Sequence, residues 1–497
     1  MRVLASRRWR LFLIIWIVYS VHFATNVVRE HYPAFSISQH GTFRVDEYQD
    51  FHDDIFRHTD GHSVIGNQVF VSVLAAVPLF IFDPVLDRLE RYSKDKLARE
   101  GVQAAEYRIE EKPNRVRFFR LVKEQGLDLR FGGATVVTSV FFMAPVTAGF
   151  LVFFYGVLLR RGLTASDATA LTLLTAFCTP IFFRTSTLNH NLFVMYAMFI
   201  AFALLWERPA DGPVSLRNRL LAGFFGGITL ATDYVGVIIL PLLYAYLVLP
   251  RVKTAGWQAA LVESFPMILG SLPPVGFLLY SQWAMYGNPF LPGQYWMPDQ
   301  NIYTNTGARG FTLPDPEIFF DSLFGWDYGM YTWGPLLLLS LWPSRGLPAA
   351  SLVLPRFERR WLIATWWVFL LFTSANQYSR LQFNSGFRYL IPLVPFLMVA
   401  IADRWGSLST PVRATIAGLT LLHSWVLTAF REPVVRSWQM FLHEGTQLPW
   451  YRVLSMTASP GNPWLGTWWV PAVLLLITLA VVGAIWRYGS HLEFAHE

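Results

Sequence analysis

The sequence predicts an all-α membrane protein, a bundle of about twelve transmembrane helices with a long, partly helical first extracytoplasmic loop. Composition is the first reason. The 497 residues are 54% hydrophobic, 16% aromatic and only 15% charged, against roughly 25% charged in a soluble domain, and mean hydropathy is +0.37. Patterning is the second, because the apolar residues gather in runs long enough for helices to cross a ~30 Å hydrocarbon core. Together they argue against a soluble enzyme. The single cysteine, Cys178, lies inside an apolar run, which leaves neither a disulfide framework nor a Cys-based metal site. The net charge of +7 reflects loop residues that set topology and gives no reason to expect nucleic acid.

The first apolar run, Leu11 to Val28, follows Arg2, Arg7, Arg8 and Arg10 and leads into bulky Arg29-Glu30-His31-Tyr32. A cleaved signal peptide needs small residues there, so residues 1–28 read as a retained helix that starts in the cytoplasm. Residues 29–131 form the first extracytoplasmic loop. Within it, 69–86 is apolar enough to cross, but a crossing would invert every later loop and put Arg160-Arg161 and Arg251 outside; with Pro78, Asp83 and Pro84 inside it, the segment reads as an interfacial or re-entrant helix. Residues 87–123 carry mixed charge in an amphipathic pattern, an insertion lying at the membrane surface. The alternative puts 87–131 in the cytoplasm.

Residues 132–497 form the polytopic domain. Counting the first helix at 9–28, spans fall near 133–158, 165–183, 191–206, 219–235, 236–250, 263–284, 332–343, 361–375, 390–403, 411–430 and 469–486. Arg160-Arg161, Arg208 with Arg217 and Arg219, Arg251 with Lys253, Arg356 with Arg359-Arg360, Arg404 with Arg413, and Arg487 occupy alternate short loops, cytoplasmic by the positive-inside rule. The loops at 184–191, 286–331, 376–389 and 431–468 then face outward. No repeat of 20–50 residues is evident, which weighs against an inverted-repeat transporter.

Chemistry-bearing residues gather in the outer loops. The first holds Asp46, Glu47, Asp50, His52, Asp53 and Asp54, then His58, Asp60 and His62, a set able to bind a divalent cation or to supply a general base; an ordinary polar loop is the bland reading. His190, within Asn189-His190-Asn191, and Asp233-Tyr234 stand at outer helix ends, where a buried acid needs a partner or a polar cavity. Arg380 and Arg388, the latter beside Tyr389, reach the side on which positive charge is disfavoured, and a guanidinium fork suits a phosphate. Snorkelling to headgroups is their bland reading.

Several segments in order resemble the polytopic lipid-sugar-dependent glycosyltransferases of the GT-C class, especially bacterial relatives of the protein mannosyltransferases and aminoarabinose transferases. They are the acidic loop with Asp46-Glu47, the run Thr185 to His190, Gly226 to Tyr234, Trp283 to Phe290, Tyr328 to Pro335, and Gly386 to Pro392. The resemblance implies a GT-C-like bundle in a bacterial plasma membrane, with inverting transfer on the outer face from a polyprenyl-phosphate sugar donor to an acceptor that is a glycan, lipid or protein. It puts Asp46 in the position of the first-loop acid, with Glu47 beside it, and Arg388 near the lipid phosphate; His190, Asp233, Tyr234, Arg380 and Tyr389 complete the expected substrate site. Asn189-His190-Asn191 stands where oligosaccharyltransferases show acidic residues, which leaves the role of a divalent cation open. Two rival classes remain: a transporter or flippase using Asp233 and His190, and a non-catalytic scaffold of envelope assembly. The outer-loop location of the polar residues favours the enzyme.

Overall fold

Apolar runs punctuated by caps, glycines and prolines become helices along the whole chain. The computed structural model describes residues 6–102, 113–207, 213–298, 305–342, 352–384, 386–458 and 467–494; part of the charged insertion, 103–112, lies outside them. Helix α1 (Arg7–Val21) is followed by α2 (His31–His40), which stops at Gly41 in the left-handed region (φ 65°), where a residue without Cβ carries no steric penalty. Strands β1 (Ile55–Arg57) and β2 (Ser63–Ile65) pair antiparallel, Ile55 against Ile65. Helix α3 (Phe70–Glu100) continues for 31 residues through Pro78 and Pro84, about 46 Å at 1.5 Å per residue. It does not double back, so the re-entrant form of the 69–86 segment is not found. One side of it exposes Val77, Phe80, Ile81 and Val85, spaced three and four residues apart as an apolar helix face is.

Helices α4 (Pro113–Glu124) and α5 (Asp128–Thr138) complete the first loop, and a π-helical stretch, Ser139–Met143, joins α5 without a break to α6 (Ala144–Arg160). This helix runs straight through the boundary expected at residue 131. Arg130, nearly buried, ties α5 to α3 through Asp83 at 2.7 Å, Asp87 at 2.5 Å and Glu90 at 3.0 Å.

Next come α7 (Ala165–Phe177), α8 (Pro180–Thr185), α9 (His190–Trp206) and α10 (Leu216–Thr232). The 165–183 segment thus divides at Pro180, which opens α8. In α9 every residue but Ile200 and Leu204 is buried, as a helix apolar all round requires. Helix α11 (Gly236–Tyr286) turns at Gly256 (φ 81°) into two arms, linked by Tyr244 and Ser264 at 2.5 Å. Gly223 and Gly270 let α10 and the second arm meet backbone to backbone: a Cβ on Gly223 would stand 1.9 Å from the Met267 carbonyl, and one on Gly270 2.0 Å from that of Leu220. Small residues play this part between membrane helices.

Short helices α12 (Gly293–Trp296), α13 (Pro316–Phe324) and α14 (Met330–Trp333) precede α15 (Arg356–Ala375), α16 (Val394–Trp405), α17 (Thr410–Phe430), α18 (Val434–Glu444), α19 (Pro449–Ala458) and α20 (Trp469–Phe494). Among the described residues five helices are long and apolar enough to cross a membrane: α3, continuous α5–α6, α11, α17 and α20. That is consistent with an integral membrane protein, whereas the twelve-span count is not reached on length. The expected span at 332–343, for example, holds only α14 and a 3-10 stretch, Pro335–Leu341, about 14 Å at 2.0 Å per residue.

The basic short loops meet at one end of the bundle. Arg161 donates to the Trp206 carbonyl at 2.6 Å, Arg160 pairs with Glu207 at 3.0 Å, Tyr246 donates to Glu358 at 3.0 Å and Arg413 pairs with Asp167 at 3.4 Å. Arg359 pairs with Asp403 there too.

Candidate functional site

At the opposite end, connections between helices bring together side chains far apart in sequence. Asn189 caps α9 by accepting the Leu192 N–H at 3.1 Å, which sets His190 in the first turn. Asp233 ends α10 in extended conformation, and its Oδ1 accepts the Val235 N–H at 3.0 Å, holding the carboxylate at the turn into α11. Glu30 stands just before α2, its carbonyl accepting from Ser72 Oγ at 2.8 Å. His190 lies between the two acids: Nδ1 meets Glu30 Oε1, and Nε2 is 3.1 Å from Asp233 Oδ2. Ionised carboxylates only accept, so both contacts are hydrogen bonds when each ring nitrogen carries a proton. A cationic ring clamped by two acids satisfies that condition.

Arg29 joins the first loop to this clamp, pairing with Asp54 at 3.0 Å and Glu30 at 3.3 Å. Burial opposes ionisation of the Glu30 carboxyl, but His190 and Arg29 outweigh it and hold the group well below the usual carboxylate range. Asp54 is shifted the same way; burial is offset by His52 and Arg29, with a contribution from Arg388. Asp54 keeps about a quarter of its side chain exposed (28%), against 5% for Glu30. It is therefore the carboxylate of this pair that an acceptor can reach.

Arginines form the other half of the site. Arg184, buried in α8, donates to Asn191 Oδ1 at 3.3 Å, and Arg388 and Arg431 stand within electrostatic reach of it. Arg388 is aimed by its backbone: its own N–H and that of Tyr389 both donate to Gln382 Oε1 at 3.1 Å. Its guanidinium donates to the Tyr389 hydroxyl at 3.2 Å and lies 4.7 Å from that ring's centre. Two residues earlier Gly386 (φ 71°) lies flat on Trp333, where a Cβ would approach the indole to 2.4 Å. Arg431 ends α17 in the left-handed region (φ 56°), donates to the Phe183 carbonyl at 2.9 Å and to Ser186 Oγ, and lies 4.2 Å above the Phe183 ring. Trp333 meets the same ring edge-on at 4.9 Å. Arg388 Nε, Arg431 Nε and Trp333 Nε1 are buried with no hydrogen-bond partner among the described residues. All three are donors, and a buried donor left unpaired is costly.

The expected residues fare unequally. His190, Asp233, Arg388 and Tyr389 belong to this assembly, and Tyr234 flanks it, its hydroxyl accepting from Gln282 at 3.2 Å and from the Gly293 N–H at 3.0 Å. Arg380 is taken up by Asp315 and Glu317, each at 2.7 Å, so its charge is already met by two acids. Asp46 and Glu47 lie in an exposed turn. Asp46 accepts from the Ser63 N–H at 2.5 Å and faces His62 at 3.1 Å; its slight burial raises the carboxyl, but these two contacts outweigh that and leave it below the usual range, and Glu47 faces His40 at 3.3 Å. Neither is among the hydrogen-bond partners of His190, Asp233 or Arg388, and the loop acid that joins the assembly, through Arg29, is Asp54. A cleft of ≈ 390 Å³ opens beside this turn, with Phe43 and Arg44 on one wall and Phe277 and Tyr280 on the other; Glu30, His190 and Asp233 do not line it.

Sequence reasoning passed over Glu30, Arg184, Arg431 and Trp333. An arginine set in an apolar run, as in Phe182-Phe183-Arg184, was the available signal. No group of three or more His, Cys, Asp or Glu among the described residues is arranged to hold a metal ion. No family model, curated protein or solved structure is similar enough to this chain to count as a match, so the arrangement of Asp54, Arg184, His190, Arg388 and Arg431 carries the functional assignment by itself.

Proposed function

We propose that this chain is a GT-C-like membrane glycosyltransferase of about twelve spans that moves a sugar from a polyprenyl-phosphate donor to an acceptor hydroxyl on the outer face. The observation that carries this reading is the group of buried, unpartnered N–H donors on Arg388, Arg431 and Trp333 beside Arg184, next to an accessible carboxylate, Asp54. Donors without acceptors suit an anion, and guanidinium forks suit a phosphate. In the reaction Asp54 takes the proton of the acceptor hydroxyl, whose oxygen bonds to the anomeric carbon. The bond from that carbon to the phosphate oxygen breaks, and the electron pair leaves with the polyprenyl phosphate. The arginines stabilise the charge that develops there. Glu30 and Asp233 orient His190, and the clamp fixes Arg29 against Asp54.

Asp54 takes the base role here in place of Asp46, because Asp54 is the loop acid within reach of Arg388. A transporter would gather its polar groups near the midplane within broken helices, whereas this cluster stands at helix ends. The test is transfer of radiolabelled sugar from defined polyprenyl-phosphate donors by membranes containing the protein. Loss of transfer in Arg431→Ala and Arg388→Ala membranes is expected. Donor-dependent uptake without any transfer product would favour the transporter.

A further inference from the structure

The anion-binding donors account for one set of unpartnered polar atoms. A second set has different chemistry. Asn67 and Gln68, between β2 and α3, are 6% and 7% exposed, and Asn67 Oδ1 and Gln68 Nε2 have no hydrogen-bond partner among the described residues. Asn67 uses its amide nitrogen on the Gln68 carbonyl at 3.1 Å, leaving its oxygen. The pair therefore offers one acceptor and one donor, both neutral. An anion would be repelled by the acceptor and a cation by the donor, but a hydroxyl, which donates and accepts at once, satisfies both.

The chain ties the segment that carries the pair to the backbone of Asp54 on one side and of Glu30 on the other. Immediately before it the Gly66 N–H donates to the Asp54 carbonyl at 3.0 Å, and just after it Ser72 Oγ donates to the Glu30 carbonyl at 2.8 Å. A hydroxylated ligand held by the pair is held on the segment that is hydrogen-bonded to the backbone of the proposed base. Apolar side chains of equal size would have packed there without the cost of burying amides unpaired.

We infer that Asn67 and Gln68 form the subsite for the hydroxyl groups of the transferred sugar, binding the neutral glycosyl unit while the arginines bind its phosphate. This rests on the proposed donor class and names which residues read the sugar.

The experiment uses the full chain in lipid nanodiscs and measures binding of two kinds of probe, a bare polyprenyl phosphate and its mannosyl, glucosyl and arabinosyl esters. The unaltered protein is expected to bind at least one ester about tenfold more tightly than the bare phosphate, the worth of one to two neutral hydrogen bonds. Gln68→Met and Asn67→Leu, which keep volume and remove the polar atoms, are expected to bring that ester within about threefold of the bare phosphate. Binding of the bare phosphate should stay within about twofold in both. Thermal stability should hold or rise, because a ligand-free orphan is removed. A variant that folds and keeps the tenfold preference overturns the subsite alone, as does an unaltered protein that prefers none of the esters. If the unaltered protein binds no polyprenyl phosphate at all, the donor class falls and the subsite falls with it.

Discussion

Replacing Asp54 by Asn, set beside the same change at Asp46, separates the two candidate bases. Asn keeps the shape and retains an oxygen that accepts from Arg29, so the contact at 3.0 Å survives without its charge. Both partners keep about a quarter of their side-chain surface in solvent, and a pair so screened contributes no more than about 1 kcal/mol. Asp54→Asn should therefore fold, insert and melt within a few degrees of the unaltered protein. The proton acceptor, by contrast, is gone. Loss of a general base lowers rate by about 10²–10⁴-fold, or about 2.7–5.5 kcal/mol of barrier, several times the loss in stability. Asp46→Asn still accepts the Ser63 N–H and stands apart from the arginines, so its rate should fall by less than about twofold. The assay is initial-rate transfer of labelled sugar from a polyprenyl-phosphate donor, with folded protein quantified by size-exclusion chromatography. An Asp54→Asn protein retaining more than about a third of its rate, or an Asp46→Asn protein that loses as much as Asp54→Asn, would refute the assignment.

Arg388→Ala should weaken donor use by about 1.5–3 kcal/mol, the range for hydrogen bonds to charged groups, with Arg388→Lys recovering only part because the fork is lost; Arg380→Ala, already occupied by Asp315 and Glu317, should leave the donor KM unchanged. Because the Glu30 carboxyl is held below its ordinary value, the stability it contributes is present above about pH 4, the unfolded value, and drains away as pH falls through the lower folded value. Melting curves of Glu30→Gln should therefore be flatter than those of the unaltered protein below pH 4, and parallel curves would remove Glu30 as a source of acid sensitivity. For topology, an impermeant thiol reagent on intact cells should label Phe290→Cys, exposed beyond the second arm of α11, and spare Arg217→Cys at the basic end; the reverse would put the site on the cytoplasmic side.

Much of the bundle was legible because burial in lipid leaves a coarse trace: an apolar run such as 190–206 reads as helix whatever its neighbours do. His190, Asp233 and Arg388 were legible for the complementary reason, since each is a polar group at a place where polarity is costly. The choice among the loop acids was not legible. Asp46 sits by Ser63 and Asp54 by Gly66, about 10 Å apart along a strand at 3.3 Å per residue, and which of them reaches Arg29 is set by how the loop folds back on β2, which spacing alone does not reveal. Arg431 was hidden by its setting, because an arginine just after an apolar helix looks like any flanking charge until Phe183 is seen beneath it. A count made on hydropathy also takes in segments shorter than the membrane is thick, such as Pro335–Leu341, because it registers apolarity but not the rise per residue.

The π-helical stretch at Ser139–Met143 gives one membrane helix two phases. A residue added to a helix turns everything beyond it by 100° at 3.6 residues per turn, and a wide turn takes up an extra residue without unwinding either flank. The C-terminal segment, Ala144–Arg160, can thus present the face that packs on α1, while the N-terminal segment turns Arg130 independently toward Asp83, Asp87 and Glu90. Thr138 and Ser139, at the point of change, reach His31 at 3.0 Å and the Ser186 carbonyl at 3.1 Å. The phase step thus adds to the contacts of Arg29 and Glu30 a further tie between the loop assembly that carries Asp54 and the bundle that carries Arg184, made at the one place where the helix changes face.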